Sequence, residues 1–252
     1  MKQIVIFFAV IVLLVSGCNS IMPFTSTSVI SKPNVPVDLW ITQSMRGDNA
    51  AQRKQWQEAA FFYNQALDSI ADPNATPNQP SHSEIQKVYN LAIEAQLLAE
   101  NMVVANTKSI GSSGNAIRDK VGSFRIKKRP IPIKFKYNSS TLTKDGKNSA
   151  KQLAIYLTSK KPSHVTLVGH TDTKGSDNYN CRLSVGRATS LKNYLVDDLE
   201  VNFAVDAMGK GEREPYIPYK ANRYTKKEID TLNRRVEFFT DPSDVSRDKE
   251  CG

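Results

Sequence analysis

The chain has 252 residues, enough for one large domain or two small ones with cores of their own. Hydrophobic residues make up 40% and charged residues 23%, a globular balance that excludes wholesale disorder. The formal charge of +9 favours anionic surroundings, whether lipid headgroups, wall polymer or nucleic acid, without choosing among them.

The first segment narrows that choice. Lys2 precedes an apolar run from Ile4 to Val15. The run is shorter than the roughly 20 residues of a membrane span and suits the core of an export signal. The tetrapeptide Val15-Ser16-Gly17-Cys18 resembles the lipobox of bacterial lipoproteins, an aliphatic residue, two small ones and a Cys. That resemblance implies a signal peptide over 1–17, cleavage before Cys18, and a lipid on the Cys18 thiol. Several acyl chains on one residue give lasting attachment where one chain is marginal. An ordinary secretory signal with a chance Cys is the alternative. Residue 19 is Asn rather than the Asp associated with inner-membrane retention, so the expected location is the outer membrane, facing the periplasm. Export of this kind argues against a nucleic-acid partner. Cys181 and Cys251 remain; the periplasm permits a disulfide between them, while free thiols or an intermolecular link through Cys251 stay open.

Residues 18–38 carry the lipidation Cys and then a Ser, Thr and Pro-rich stretch without apolar period, the composition of a tether. Residues 39–108 read as helical. Between Gln55 and Leu67, small Ala59 and Ala66 alternate with large Trp56, Phe62 and Tyr63, so that two helices can approach closely; the pattern resembles the second helix of a tetratricopeptide repeat. Pro73, Pro77 and Pro80 stop that helix. Ser83-Glu84 opens another through Tyr89, Leu91, Ala92, Ala95 and Leu98. Repeat arrays need about three units to stabilise one another, so a helical hairpin serving as spacer or docking face competes with a peptide groove. Residues 109–119 form a Gly/Ser linker, and Lys127-Lys128-Arg129 reads as a solvated basic run.

From about 120 to 241 the periodicity changes, ahead of a tail at 242–252. Ile131, Ile133 and Phe135 alternate with polar residues or Pro, as in a half-buried strand. Thr143 caps a helix through Ala150, Leu153 and Leu157. His164–Gly169 is a strand, Leu183 to Leu195 a helix, Phe203 to Met208 a strand, Lys226 to Asp230 a short helix, and Arg235 to Phe239 a last strand. Alternating strands and helices predict an α+β fold: a two-layer sandwich, a mixed sheet with helices on one face, preceded by a small all-α segment.

Five motifs stand in order here: Phe135-Lys136-Tyr137-Asn138-Ser139; Val168-Gly169-His170-Thr171-Asp172 through Ser176; Tyr179-Asn180-Cys181-Arg182-Leu183 through Ala188; Gly209-Lys210-Gly211-Glu212; and Asn233-Arg234-Arg235-Val236-Glu237. In this order and spacing they resemble the OmpA-like peptidoglycan-binding domain, shared with peptidoglycan-associated lipoproteins and flagellar motor stators. The residues carry a physical reading of their own. Asp172 lies past a strand end and Arg187 on the next helix, so a loop-helix return brings them to one end of the sheet. A carboxylate beside a guanidinium suits a zwitterion. The resemblance implies that Asp172 takes the ammonium and Arg187 the carboxylate of diaminopimelate in a stem peptide, with Asn138 beside the ligand. Thr171, Leu183 and Arg235 complete the expected contact set; whether Arg234 or Arg235 supports the site is not divided by the sequence. Gly209 and Gly211 read as turn glycines.

An enzyme is the first rival reading. The chain has three histidines, His82, His164 and His170, and lacks HExxH, a paired-Cys metal motif and Gly-x-Ser-x-Gly, so no catalytic residue, metal or cofactor is expected. The expected function is a non-catalytic anchor holding the outer membrane to peptidoglycan. The alternative is a wall-fixed component of a secretion, conjugation or motility machine, docking a protein partner through 39–108.

Overall fold

The structure, a computed structural model, describes residues 38–99, 118, 120–126 and 129–251. The expected signal peptide, Cys18, the tether and most of the 109–119 linker lie outside the described residues. Three helices come first: α1 (Leu39–Gln52), α2 (Trp56–Ala71) and α3 (His82–Leu98). Ala50, Ala51, Ala59, Ala60 and Ala66 are buried where the helices meet. A Cβ on Gly47 would stand 2.6 Å from the Tyr63 ring, so α1 and α2 pack at a distance only small residues allow. Ser81 opens α3 with a capping box, its hydroxyl accepting from Glu84 N while the Glu84 carboxylate accepts from Ser81 N at 2.8 Å.

A short hairpin follows, β1 (Lys120–Val121) and β2 (Phe124–Arg125). The main sheet contains β3 (Arg129–Ile131), β4 (His164–Gly169), β5 (Ala204–Gly209) and β6 (Val236–Phe239), ordered β3-β6-β4-β5. Only β4 and β5 are parallel, joined through a helix as a parallel crossover requires. Helices α4 (Lys144–Lys160) and α5 (Asp177–Asn193) cover one face. Their Leu153, Leu157, Ala188 and Leu191 pack with Ile131, Val165, Leu167, Val236 and Phe238. A short α6 (Lys226–Asn233) precedes the last strand. This is the expected mixed sheet with helices on one face, behind three packed helices. The strand read from Ile131 to Phe135 instead ends at Ile131. Pro132 cannot donate to a ladder, and Ile133 N turns back onto Ile131 O at 2.8 Å.

Gly209 is not a turn residue; it ends β5 opposite Gly169 of β4. A Cβ on Gly169 would stand 2.2 Å from Ser184 O, and one on Gly209 would stand 2.3 Å from Ser184 Oγ. The paired glycines form a notch that seats the α5 backbone directly on the sheet. Gly211, at φ 54, is the turn glycine, and its N–H donates to Ser184 Oγ at 2.9 Å. Gly169→Ala should lift α5 and cost about 3 kcal/mol, since backbone yields less readily than a side chain. Urea unfolding measures this; an unchanged midpoint would contradict the seat.

The helical block and the sheet domain share a core. Val121, Ile126 and Leu232 are buried in one cluster with α2 and α3, and Tyr216 packs against it half-buried. At this junction Glu94 of α3 is fully buried. It accepts from Tyr224 Oη at 2.5 Å, Tyr219 N at 2.8 Å and Tyr216 Oη at 3.4 Å. Burial pushes the Glu94 carboxyl above its ordinary range, although the tyrosine hydrogen bonds favour the anion. An acid with a raised folded pKa contributes most below its unfolded pKa, about 4.3. That contribution is lost as pH rises through the folded value. Glu94→Gln should therefore flatten the pH dependence of stability above that point. Glu94→Ala should cost on the order of 3 kcal/mol, because it strands buried donors. Denaturant titrations at several pH values check both; parallel pH profiles for wild type and Glu94→Gln would refute the assignment.

Candidate functional site

The C-terminal ends of β4 and β5 face the start of β6, and a cleft of about 530 Å³ opens there. Asp172 sits three residues past β4 and is 8% exposed. Its loop is tied down from several sides. Thr171 N donates to Gly211 O at 2.9 Å, His170 N to Arg235 O at 2.9 Å, and Asn180 Nδ2 to Asp172 O at 3.2 Å. Asp172 Oδ1 accepts from Lys174 N at 3.0 Å, a local turn of the kind Asp favours. Gly175, at φ 110, then lets the chain enter α5, which Ser176 caps.

Arg187 comes from α5, one turn beyond the seated Ser184. Its Nε donates to Ser139 O at 3.2 Å and its guanidinium lies 5.4 Å over the Phe135 ring. Burial, then the charge of Arg234, pull its pKa down, while Asp172 pulls it up. It stays a cation, as guanidinium groups in proteins do, with no other hydrogen bond to it among the described residues. The fork is thus held by its stem while facing the cleft. Asn138, at φ 52, accepts a hydrogen bond from Tyr179 Oη on the rim. Thr171 and half-buried Leu183 line the floor, and the buried Thr171 Oγ1 has no partner among the described residues.

The expected set therefore converges, with one correction. Arg235 does not reach the cleft. It is 3% exposed and donates from Nε to Glu237 Oε1 at 2.8 Å, away from the site. Strand alternation explains this: Arg235 shares a side with Glu237, while Val236 and Phe238 face the helices. The arginine at the cleft is Arg234, whose Nη1 meets Asp172 Oδ2 at 2.5 Å. The period of β6 is the signal that separates the two. Asp230 and the lysines around it were not apparent from the sequence. Asp230 of α6 pairs with Lys174 and Lys226 at 3.0 Å each. Burial opposes its ionisation, but these two ammoniums hold its pKa below the usual range. Lys136, Lys174, Arg187, Lys227 and Arg234 face two carboxylates, Asp172 and Asp230. That balance favours a ligand that brings at least one carboxylate for each ammonium. Cys181, whose pairing the sequence left open, is joined to Cys251 in a disulfide.

Residues 134–228 match the OmpA family. Outer membrane protein A of Serratia marcescens is 38% identical over 114 residues, which are 42% of this chain and 32% of that protein. Outer membrane porin F of Pseudomonas fluorescens is 33% identical over 107 residues, 42% of this chain and 31% of that one. The chain thus spans about a third of the length of these relatives. A solved structure of the peptidoglycan-associated lipoprotein from Burkholderia pseudomallei superposes with a TM-score of 0.36 at 23% identity, covering 45% of this chain and 89% of that one.

Proposed function

We propose that the C-terminal domain grips peptidoglycan without catalysis, binding the zwitterionic end of diaminopimelate in stem peptides. The observation that carries this reading is the convergence of Asp172, Arg187 and Arg234 on one cleft, each held from behind. Asp172 takes the ammonium and Arg187 forks onto the carboxylate; Arg234, now on Asp172, shares that carboxylate. Charge-assisted hydrogen bonds contribute about 1.5–3 kcal/mol each. Less the cost of ordering, a few of them give an affinity on the order of micromolar to millimolar. Such a grip is reversible singly and firm when many wall sites act on a membrane-held protein. We place that protein at the outer membrane, held by a lipid on Cys18. His170 lends no support to hydrolysis: it is buried against Glu237, 3.6 Å away, and off the cleft.

The test is cosedimentation of the full chain in detergent with purified sacculi, with free diaminopimelate as competitor. Binding that the competitor removes supports the reading. Binding indifferent to it, or wall-degrading activity in a zymogram, overturns it.

A further inference from the structure

The two faces of α6 meet different parts of the molecule. Lys227, Asp230 and, directly after the helix, Arg234 line the Asp172 cleft. Asp230 pairs with Lys174 at 3.0 Å, and Arg234 pairs with Asp172. On the other face, Glu228 and Leu232 stand one turn apart, and Leu232 is fully buried in the cluster formed with α2 and α3. A helix of eight residues does not hold itself together in water, so its place is set by what it packs against. At its start, that packing comes from the turn between α1 and α2. Lys54 stands there at φ 60, a conformation that glycine adopts most easily. Its Nζ donates to Glu228 Oε2 at 2.9 Å and to Arg223 O at 2.8 Å. The same ammonium lies 5.2 Å from the Trp56 ring centre and 6.0 Å from that of Tyr224, and the two rings stack 5.6 Å apart. Arg223 adds a salt bridge to Asp48 of α1 at 3.0 Å. A lysine in a backbone conformation that costs energy, with two acceptors and two rings on its ammonium, is a fixed point rather than a solvated charge. The helices that supply it lie outside the stretch 134–228 that matches the OmpA family.

We infer that Lys54 is a positioning residue for the wall cleft: it pins the start of α6 to the helical block, and so sets where Arg234 stands against Asp172. This rests on the wall-binding reading of that cleft. Lys54 does not line the cleft and acts on it through α6. The helical block is then part of the scaffold of the binding site as well as a spacer or docking face.

The test compares the full chain in detergent with Lys54→Met, which keeps a long side chain and removes the charge. Hydrogen exchange without ligand reads the seat. The Ile229 and Arg234 amides, which donate to Thr225 O and Asp230 O, should exchange at least about tenfold faster in the variant, with the β4 amides unchanged. NMR titration with meso-diaminopimelate, read on labelled Leu183 methyl groups in the cleft, should show about fivefold weaker binding. In an Arg234→Ala background the same change should weaken binding less than about twofold, because the effect runs through that arginine. Unchanged exchange overturns the seat. Faster exchange with unchanged affinity, or a loss of affinity equally large without Arg234, overturns the positioning role. Wild type that ignores diaminopimelate overturns the wall reading, and the role of Lys54 in it; the exchange comparison then still tells whether the seat itself exists.

Discussion

Asp172→Asn should weaken binding to sacculi by about 30-fold to 100-fold, the loss of one or two charge-assisted contacts. The sign of this change is more informative than its size. Neutralising Asp172 makes a cleft that already holds five cations more positive and frees Arg234 from its pair. If the domain held an anionic wall by charge alone, the variant would bind more tightly. If Asp172 receives an ammonium, it binds more weakly. Arg187→Ala weakens binding under either mechanism, so it measures the size of the carboxylate contact, about 3 kcal/mol for a two-pronged contact. Arg187→Lys keeps the charge and loses the fork, and should recover only part of it. Cosedimentation at two salt concentrations completes the set, since bare charge attraction between exposed groups is screened and a buried fork is screened less. Tighter binding by Asp172→Asn would end the zwitterion reading.

Much of this site was legible in the sequence because its parts are local. Thr171 and Asp172 follow a strand whose apolar run is unmistakable, and Arg187 sits on a helix whose apolar spacing is visible from Leu183 onward, although the helix starts earlier, at Asp177, under a Ser176 cap. What escaped depends on register and on segments far apart in the chain. Arg234 and Arg235 look alike by residue type; the alternation of β6, with its register fixed by the pairing of Gly169 with Val236, decides which faces the cleft. The role of Gly209 follows from its register with Gly169 and from the helix above it, neither of which is a local property. The junction at Glu94 joins residues more than 120 positions apart, so no window of sequence contains it. The disulfide was open for the same reason, since composition permits it and only geometry decides.

That disulfide carries the second large effect. Cys181 and Cys251 are 70 residues apart, and the loop they close contains β5, α6 and β6. A cross-link over such a length restricts the unfolded chain, by roughly 4 kcal/mol in the chain-entropy account. In the folded chain it pins the tail, where Val245 packs on Val168, Met208 and Phe239. The tail has other holds: Cys251 N donates to Gly209 O at 2.9 Å, and Arg213 Nη1 donates to Glu250 O at 3.0 Å. The Asp172 loop is tied by Asn180, Gly211 and Arg235, none of which needs the tail. Reduction, or Cys251→Ser, should therefore lower the unfolding free energy by about 3–4 kcal/mol. Sacculus binding at low temperature should stay close to wild type. Urea unfolding with and without reductant, read beside cosedimentation, separates the two quantities. Lost binding without lost stability would mean that the bond shapes the cleft. No change in either would mean that the cross-link does not form in solution.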